Sequence, residues 1–124
     1  MITNTITFFL ENTSIIAFVL AILLGIIGYI RRTKNKEIHV WEPLEFWMLF
    51  LFVGLLGIYT FALHCFWPDF AAKGIGWANS PFQWEVGIAN AAFGVLGLLS
   101  LKATKPFRLS TVIAVSVWMW GDAF

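Results

Sequence analysis

The sequence predicts an all-α fold, a four-helix transmembrane bundle with both termini outside, two short basic cytoplasmic loops and one longer outward loop. Three observations predict it. First, 60% of the 124 residues are hydrophobic and only 12% are charged, with a mean hydropathy of +0.82. A soluble domain carries about 25% charged residues, so this chain lacks the charge to cover a water-facing surface. Second, four long apolar stretches follow one another, at about 13–30, 44–66, 82–101 and 109–124. Third, seven of the eight Lys and Arg residues fall in the connections between spans one and two and between spans three and four. The whole chain, 1–124, reads as a single integral membrane domain.

The first span, Thr13 to Ile30, is free of charge and ends at Arg31 and Arg32. Its 18 residues make about 27 Å of helix at 1.5 Å per residue, close to the roughly 30 Å hydrocarbon core of a bilayer. Asn12, Thr13 and Ser14 are the residues expected to cap it, because their side-chain oxygens accept bonds from the first free amides. The second span, Leu44 to Phe66, has Trp41 and Trp47 at its start and Trp67 at its end, the pattern of an aromatic belt at each interface. The third, Phe82 to Leu101, carries one charge, Glu85. The fourth runs from Leu109 to Phe124 with one charge, Asp122, and its 16 residues give only about 24 Å of helix.

Arg31, Arg32, Lys34, Lys36, Lys102, Lys105 and Arg108 lie on one side, against Lys73 alone on the other. The bias of Lys and Arg toward the cytoplasm therefore places both basic loops inside. The remaining loop, Trp67 to Ser80, contains Pro68, Gly74, Gly76, Trp77 and Asn79, the composition of an ordered interfacial turn. The N-terminus has no basic start and no small-residue cleavage pattern after its first apolar run, so no cleaved signal is expected.

Several function classes are excluded. A net charge of +1 with the cations gathered in two loops leaves no nucleic-acid face. Cys65 is the only cysteine, which rules out an intrachain disulfide and dithiol chemistry within one chain. There is no Gly-rich phosphate loop and no Ser/His/Asp series. His64 and Cys65 are acceptable donors to zinc or copper, but adjacent helical residues point about 100° apart, and no metal site is assigned. His39 lies in the cytoplasmic loop and His64 at the far end of its span, so bis-histidine haem ligation would need two copies of the chain. No cofactor is identified.

The residues with chemical potential lie toward the outward side. His64 stands 19 residues beyond Glu45, about 28 Å up the second helix. Asp122 stands 14 residues beyond Arg108, about 21 Å up the fourth. Glu85 lies about one turn below Ser80. These counts bring His64, Glu85 and Asp122 to a similar depth, where ionisable groups face one another or water. They form the candidate outward polar pocket, the alternative being three solvated groups at headgroup level. Ser80, Pro81 and Gln83 have the spacing of a capping box, with Gln83 reaching back to the Ser80 amide. Gly87, Asn90, Ala91, Gly94 and Gly97 put small residues on one face of the third helix, where backbones can approach and Asn90 can bond across to a neighbour. Gly54 and Gly57 in the second span, and Gly25 and Gly28 in the first, offer matching grooves.

The stretch Ile75-Gly76-Trp77-Ala78-Asn79-Ser80-Pro81-Phe82-Gln83-Trp84-Glu85-Val86-Gly87 resembles a family of small uncharacterised bacterial membrane proteins with an IGW-x-x-SPFQ-x-EVG signature between the second and third spans. His64 and Gly121 are weaker echoes of that pattern. The family continues past its last Gly with a Gly-His pair, whereas this chain ends at Phe124; with the short fourth span, this predicts a natural chain that runs on. The resemblance implies a four-span fold in the bacterial cell inner membrane and no activity. Two function classes follow. The favoured one is an accessory or assembly subunit that packs against other membrane protein subunits or its own copies within the lipid bilayer. The other is a membrane oxidoreductase or proton-coupled transporter using the outward His/Glu/Asp pocket.

Overall fold

A computed structural model describes residues 8, 10–32 and 39–122. Lys34 and Lys36 of the first basic loop, and the end of the chain at Phe124, lie outside the described residues. Four long helices account for most of the rest, and among the described residues there is no strand. We label the helices α1 (Thr13–Arg32), α2 (Trp41–Phe66), α3 (Pro68–Gly74), α4 (Phe82–Ser100) and α5 (Lys105–Asp122).

Helix α1 begins without the expected cap. Asn12 accepts nothing from the first turn; its Nδ2 donates back to the Phe8 carbonyl (2.9 Å), and the Thr13 hydroxyl donates to the Leu10 carbonyl (3.1 Å). Backbone bonds from the Asn12 amide to Phe8 and from the Ile16 amide to Asn12 carry the helical path through this point. Helix α2 starts at Trp41, earlier than the apolar run, and its middle third, Met48–Leu55, is π-helical. Pro68, two residues after the end of α2, opens the short helix α3 in the α2–α4 connection, its missing N–H costing nothing at that position. The chain then turns at Gly76, whose φ of +76° is one that L side chains rarely adopt.

Three helices are long and apolar enough to cross a membrane: α1, α2 and α4. The fourth, α5, opens on Lys105 and Arg108 and closes on Asp122, which dilutes its apolar middle. The surfaces of these helices make the lipid argument physical. The buried apolar residues are Ala21, Leu49, Val53, Ala71 and Ala72, whereas Ile15, Leu23, Ile30, Leu99, Leu109 and Val117 each leave more than half their surface exposed. A water-soluble helix buries its apolar stripe; these helices turn theirs outward. The chain is a membrane protein.

Helix α2 is the hub, packed on α1 along one side and α4 along the other, while α5 packs on α4. The antiparallel α2–α4 pair is built from glycine. A Cβ on Gly97 would stand 2.7 Å from the Gly54 amide nitrogen and 2.9 Å from the Leu49 carbonyl oxygen, and a Cβ on Gly57 would stand 2.8 Å from the Gly94 Cα. Small residues let backbones touch, the usual basis of close helix pairs in lipid. Gly25 and Gly28 serve the other side, accommodating Leu44 and Pro43 at the start of α2. Asn90 does not reach a neighbour: its Nδ2 donates to the Val86 carbonyl of its own helix (2.9 Å). Ala91, one residue on, is partly exposed.

The basic end is tied by two polar contacts. The Ser100 and Thr111 hydroxyls lie 3.1 Å apart between α4 and α5, and each is within reach of a carbonyl of its own helix, Leu96 (2.7 Å) and Phe107 (3.1 Å). Arg108 Nη1 lies 3.8 Å from Glu45 Oε2 on the partly exposed surface, a pair worth at most about 1 kcal/mol.

Candidate functional site

At the opposite end the α2–α4 pairing carries polar side chains in place of glycine. Seven residues above Gly57, α2 carries His64, and four residues before Gly87, α4 carries Gln83; both are buried. The same periodicity that sets glycine against glycine lower down sets these two polar side chains against each other. His64 Nδ1 and Gln83 Oε1 are 2.6 Å apart. A carboxamide oxygen only accepts, so His64 donates from Nδ1. That bond fixes the neutral ring as the tautomer whose Nε2 keeps its lone pair. Gln83 is 2% exposed, and its Nε2 has no hydrogen-bond partner; the buried hydroxyl of Tyr59, five residues before His64, has none either. A buried polar group without a partner costs about 1–3 kcal/mol, and the two residues that carry these donors line one cavity.

These groups border a cavity of about 930 Å³ that opens among all the helices. Helices α2 and α4 form its floor, where Phe52, Phe93 and Asn90 accompany Tyr59, His64 and Gln83. The segment Leu10 to Ser14 closes one side and the stretch from Val115 to Asp122 the other; Trp118 packs against Phe93, the rings tilted by 43° with centroids 5.6 Å apart. Lys73 and Trp77 stand over the mouth from the α3 loop, where Asn79 Nδ2 donates to Asp69 Oδ1 (2.7 Å). A second, smaller cavity of about 390 Å³ lies on the loop side, bordered by Cys65, Pro68, Asn79 and Ser80. His64 and Gln83 line both cavities, so their hydrogen bond forms the wall between them.

The structure divides the sequence's three candidates. His64 is buried on the cavity floor, and Asp122, exposed at the end of α5, borders the same cavity. Glu85 does not join them. It is exposed and lines neither cavity, because two residues along a helix from Gln83 is about 200° around it. Among the described residues no three His, Cys, Asp or Glu side chains gather closely enough to hold a metal ion. The expected capping box is not formed either. No side chain caps the start of α4, where the turn is held by backbone bonds from the Gln83 amide to Ser80 and the Trp84 amide to Pro81. Ser80 is exposed, Pro81 stands at the cap position itself, and the Gln83 carboxamide is committed to His64.

Tyr59 and the His64 partner role of Gln83 escaped sequence reasoning. A signal for Gln83 was present: Gln83, Gly87, Asn90, Gly94 and Gly97 follow one another at steps of four, three, four and three, one continuous stripe toward α2. Tyr59 sits in an unbroken apolar run and carries no such mark.

The chain matches DUF6790, a family of unknown function, over residues 11–124, and it belongs to that family. No curated protein and no solved structure matches it.

Proposed function

We propose that this chain is a four-span protein of a bacterial inner membrane, with its basic turns in the cytoplasm, that binds a small molecule in an outward-facing cavity. One observation carries the reading: a roomy cavity whose floor holds a buried His64–Gln83 pair and the unpartnered buried donors of Gln83 and Tyr59. Ligand sites are concave, mostly apolar and furnished with a few convergent polar groups, and intramembrane polar groups are functional by default. His64 supplies an imidazole on the floor, and Asp122 stands at the rim as its acidic counterpart. The orientation follows from Arg31, Arg32, Lys102, Lys105 and Arg108 at the end opposite His64. Helix α5 completes the fourth crossing because its Val112–Trp120 middle is apolar and packed on α4.

A second reading, an accessory subunit, draws on α5, in which Thr111 is the single buried residue; Leu109, Ile113, Val117 and Trp120 of that helix are exposed to lipid or to a partner. Native mass spectrometry of the protein released from mild detergent separates the two. Small-molecule binding predicts an adduct of a few hundred daltons that the double variant Tyr59→Phe, Gln83→Leu loses. An accessory role predicts stoichiometric protein partners instead. A bare chain with neither contradicts both.

A further inference from the structure

The cavity's own chemistry narrows what it holds. We infer that the ligand is a neutral, planar ring bearing carbonyl oxygens, of the quinone type, seated against the Phe93–Trp118 pair with an oxygen toward Tyr59 and Gln83. The inference rests on the binding reading above and deepens it.

Four features point this way. The two unpartnered groups, Gln83 Nε2 and Tyr59 Oη, are both able to donate, so they call for an acceptor on the ligand. The ligand has no net charge to match, because the floor carries no Lys or Arg. Among the described residues the only Lys or Arg bordering the cavity is Lys73 at the mouth, outnumbered by Glu11 and Asp122, so an anion meets acidic groups on its way in. The walls are aromatic, with Phe93 and Trp118 in tilted contact and Phe52 also lining the cavity, and aromatic faces receive flat rings in offset or edge contacts. Finally, α1 packs on α2 and α5 on α4, so the Leu10–Ser14 and Val115–Asp122 walls approach each other from different neighbours. Entry between these two walls would admit a ligand from the hydrocarbon. His64 Nε2, free of the Gln83 bond, offers a further polar contact to a ring substituent. No electron or proton transfer is assigned.

The test uses the full chain in phosphatidylethanolamine–phosphatidylglycerol nanodiscs with two probes. Duroquinone is a fully substituted ring without a tail; decylubiquinone presents the same chemistry on an apolar chain. Binding is read by isothermal titration and by quenching of tryptophan fluorescence. The expected result is saturable binding of at least one probe, weakened about tenfold, or roughly 1.4 kcal/mol, in both Tyr59→Phe and Gln83→Leu and unchanged in Glu85→Gln. Circular dichroism of each variant confirms retained helix, and Tyr59→Phe, which removes one oxygen, guards against a Gln83→Leu chain that fails to fold. Binding of decylubiquinone alone assigns delivery through the bilayer, and binding of both assigns recognition to the ring. Lack of saturable binding by either probe, or undiminished binding in a folded Tyr59→Phe and Gln83→Leu, overturns the inference. A co-purified small molecule without a carbonyl-bearing ring ends this inference while leaving the binding reading intact; absence of any adduct together with failure of both probes ends the two together.

Discussion

The lower and upper halves of the α2–α4 pair are one interface with two outcomes. In the lower half Gly54, Gly57, Gly94 and Gly97 let the backbones meet, and the space between the helices is filled by the chain itself. In the upper half His64 and Gln83 occupy the same stripe, and the helices open onto a cavity of about 930 Å³. Gly87 marks the transition, since a side chain there would collide with the Cys65 Sγ and press on His64 Cβ. The difference teaches that one helix pairing can serve as both clamp and binding floor, depending on whether its facing positions carry hydrogen atoms or polar side chains. The π-helical stretch Met48–Leu55 belongs to the clamp half, where Leu49 and Val53 are among the few buried apolar residues.

Breaking the clamp produces the largest effect. Gly97→Leu forces a branched side chain against the Gly54 amide and the Leu49 carbonyl, neither of which can rotate away. We expect it to destabilise the protein by about 3 kcal/mol, read as a lowered midpoint in detergent-denaturation monitored by circular dichroism. Gly74→Ala, whose added methyl meets nothing within 4 Å, leaves the midpoint unchanged. Equal loss in both variants would remove the distinction between clamp and open end.

Damage to the upper half is smaller. His64→Ala deprives the Gln83 carboxamide of its one partner and leaves both its ends buried and unpaired, a loss of about 2 kcal/mol in the same measurement. Smaller again is Ser100→Ala at the basic end. It removes one hydroxyl from the contact with Thr111, and interhelical hydrogen bonds of this kind in membranes average about 0.6 kcal/mol. Glu85→Gln, exposed and outside both cavities, leaves stability and ligand binding where they were. A large loss on that substitution would restore Glu85 to the site that the structure denies it.

Much of the clamp was legible because it depends on residue size at helical spacing. Gly87, Gly94 and Gly97 could be read as one packing face, and Gly54 and Gly57 as its complement, since a missing side chain means the same thing in any register. The polar site was legible only in part. Counting residues from the basic loops placed His64 and Asp122 at one level, and both border the cavity. The same count admitted Glu85, because depth along a helix says nothing about direction around it. Gln83 was assigned to its own helix end when its stripe already pointed at α2; local capping and tertiary contact compete for the same carboxamide, and the buried imidazole won. Asn12 and Thr13 erred in the same way, toward caps that a helix continuing upstream does not need. Asn90 was expected to bond a neighbour, but the glycine contacts bring Gly57 against its backbone and leave its side chain to the Val86 carbonyl.

The central claim is that the cavity at the His64 end of the α2–α4 pair opens to the outer side of the membrane, while the Val95 face of the glycine half meets lipid. Cysteine labelling in intact cells tests it most directly. In a background with Cys65 replaced by Ala, Thr60→Cys lies on the cavity and Val95→Cys on the exposed apolar face of the glycine half. The account predicts that a small membrane-impermeant thiosulfonate reaches Thr60→Cys from outside and leaves Val95→Cys untouched. Thr60→Cys that reacts only after the cytoplasmic face is opened, or not at all, would contradict it.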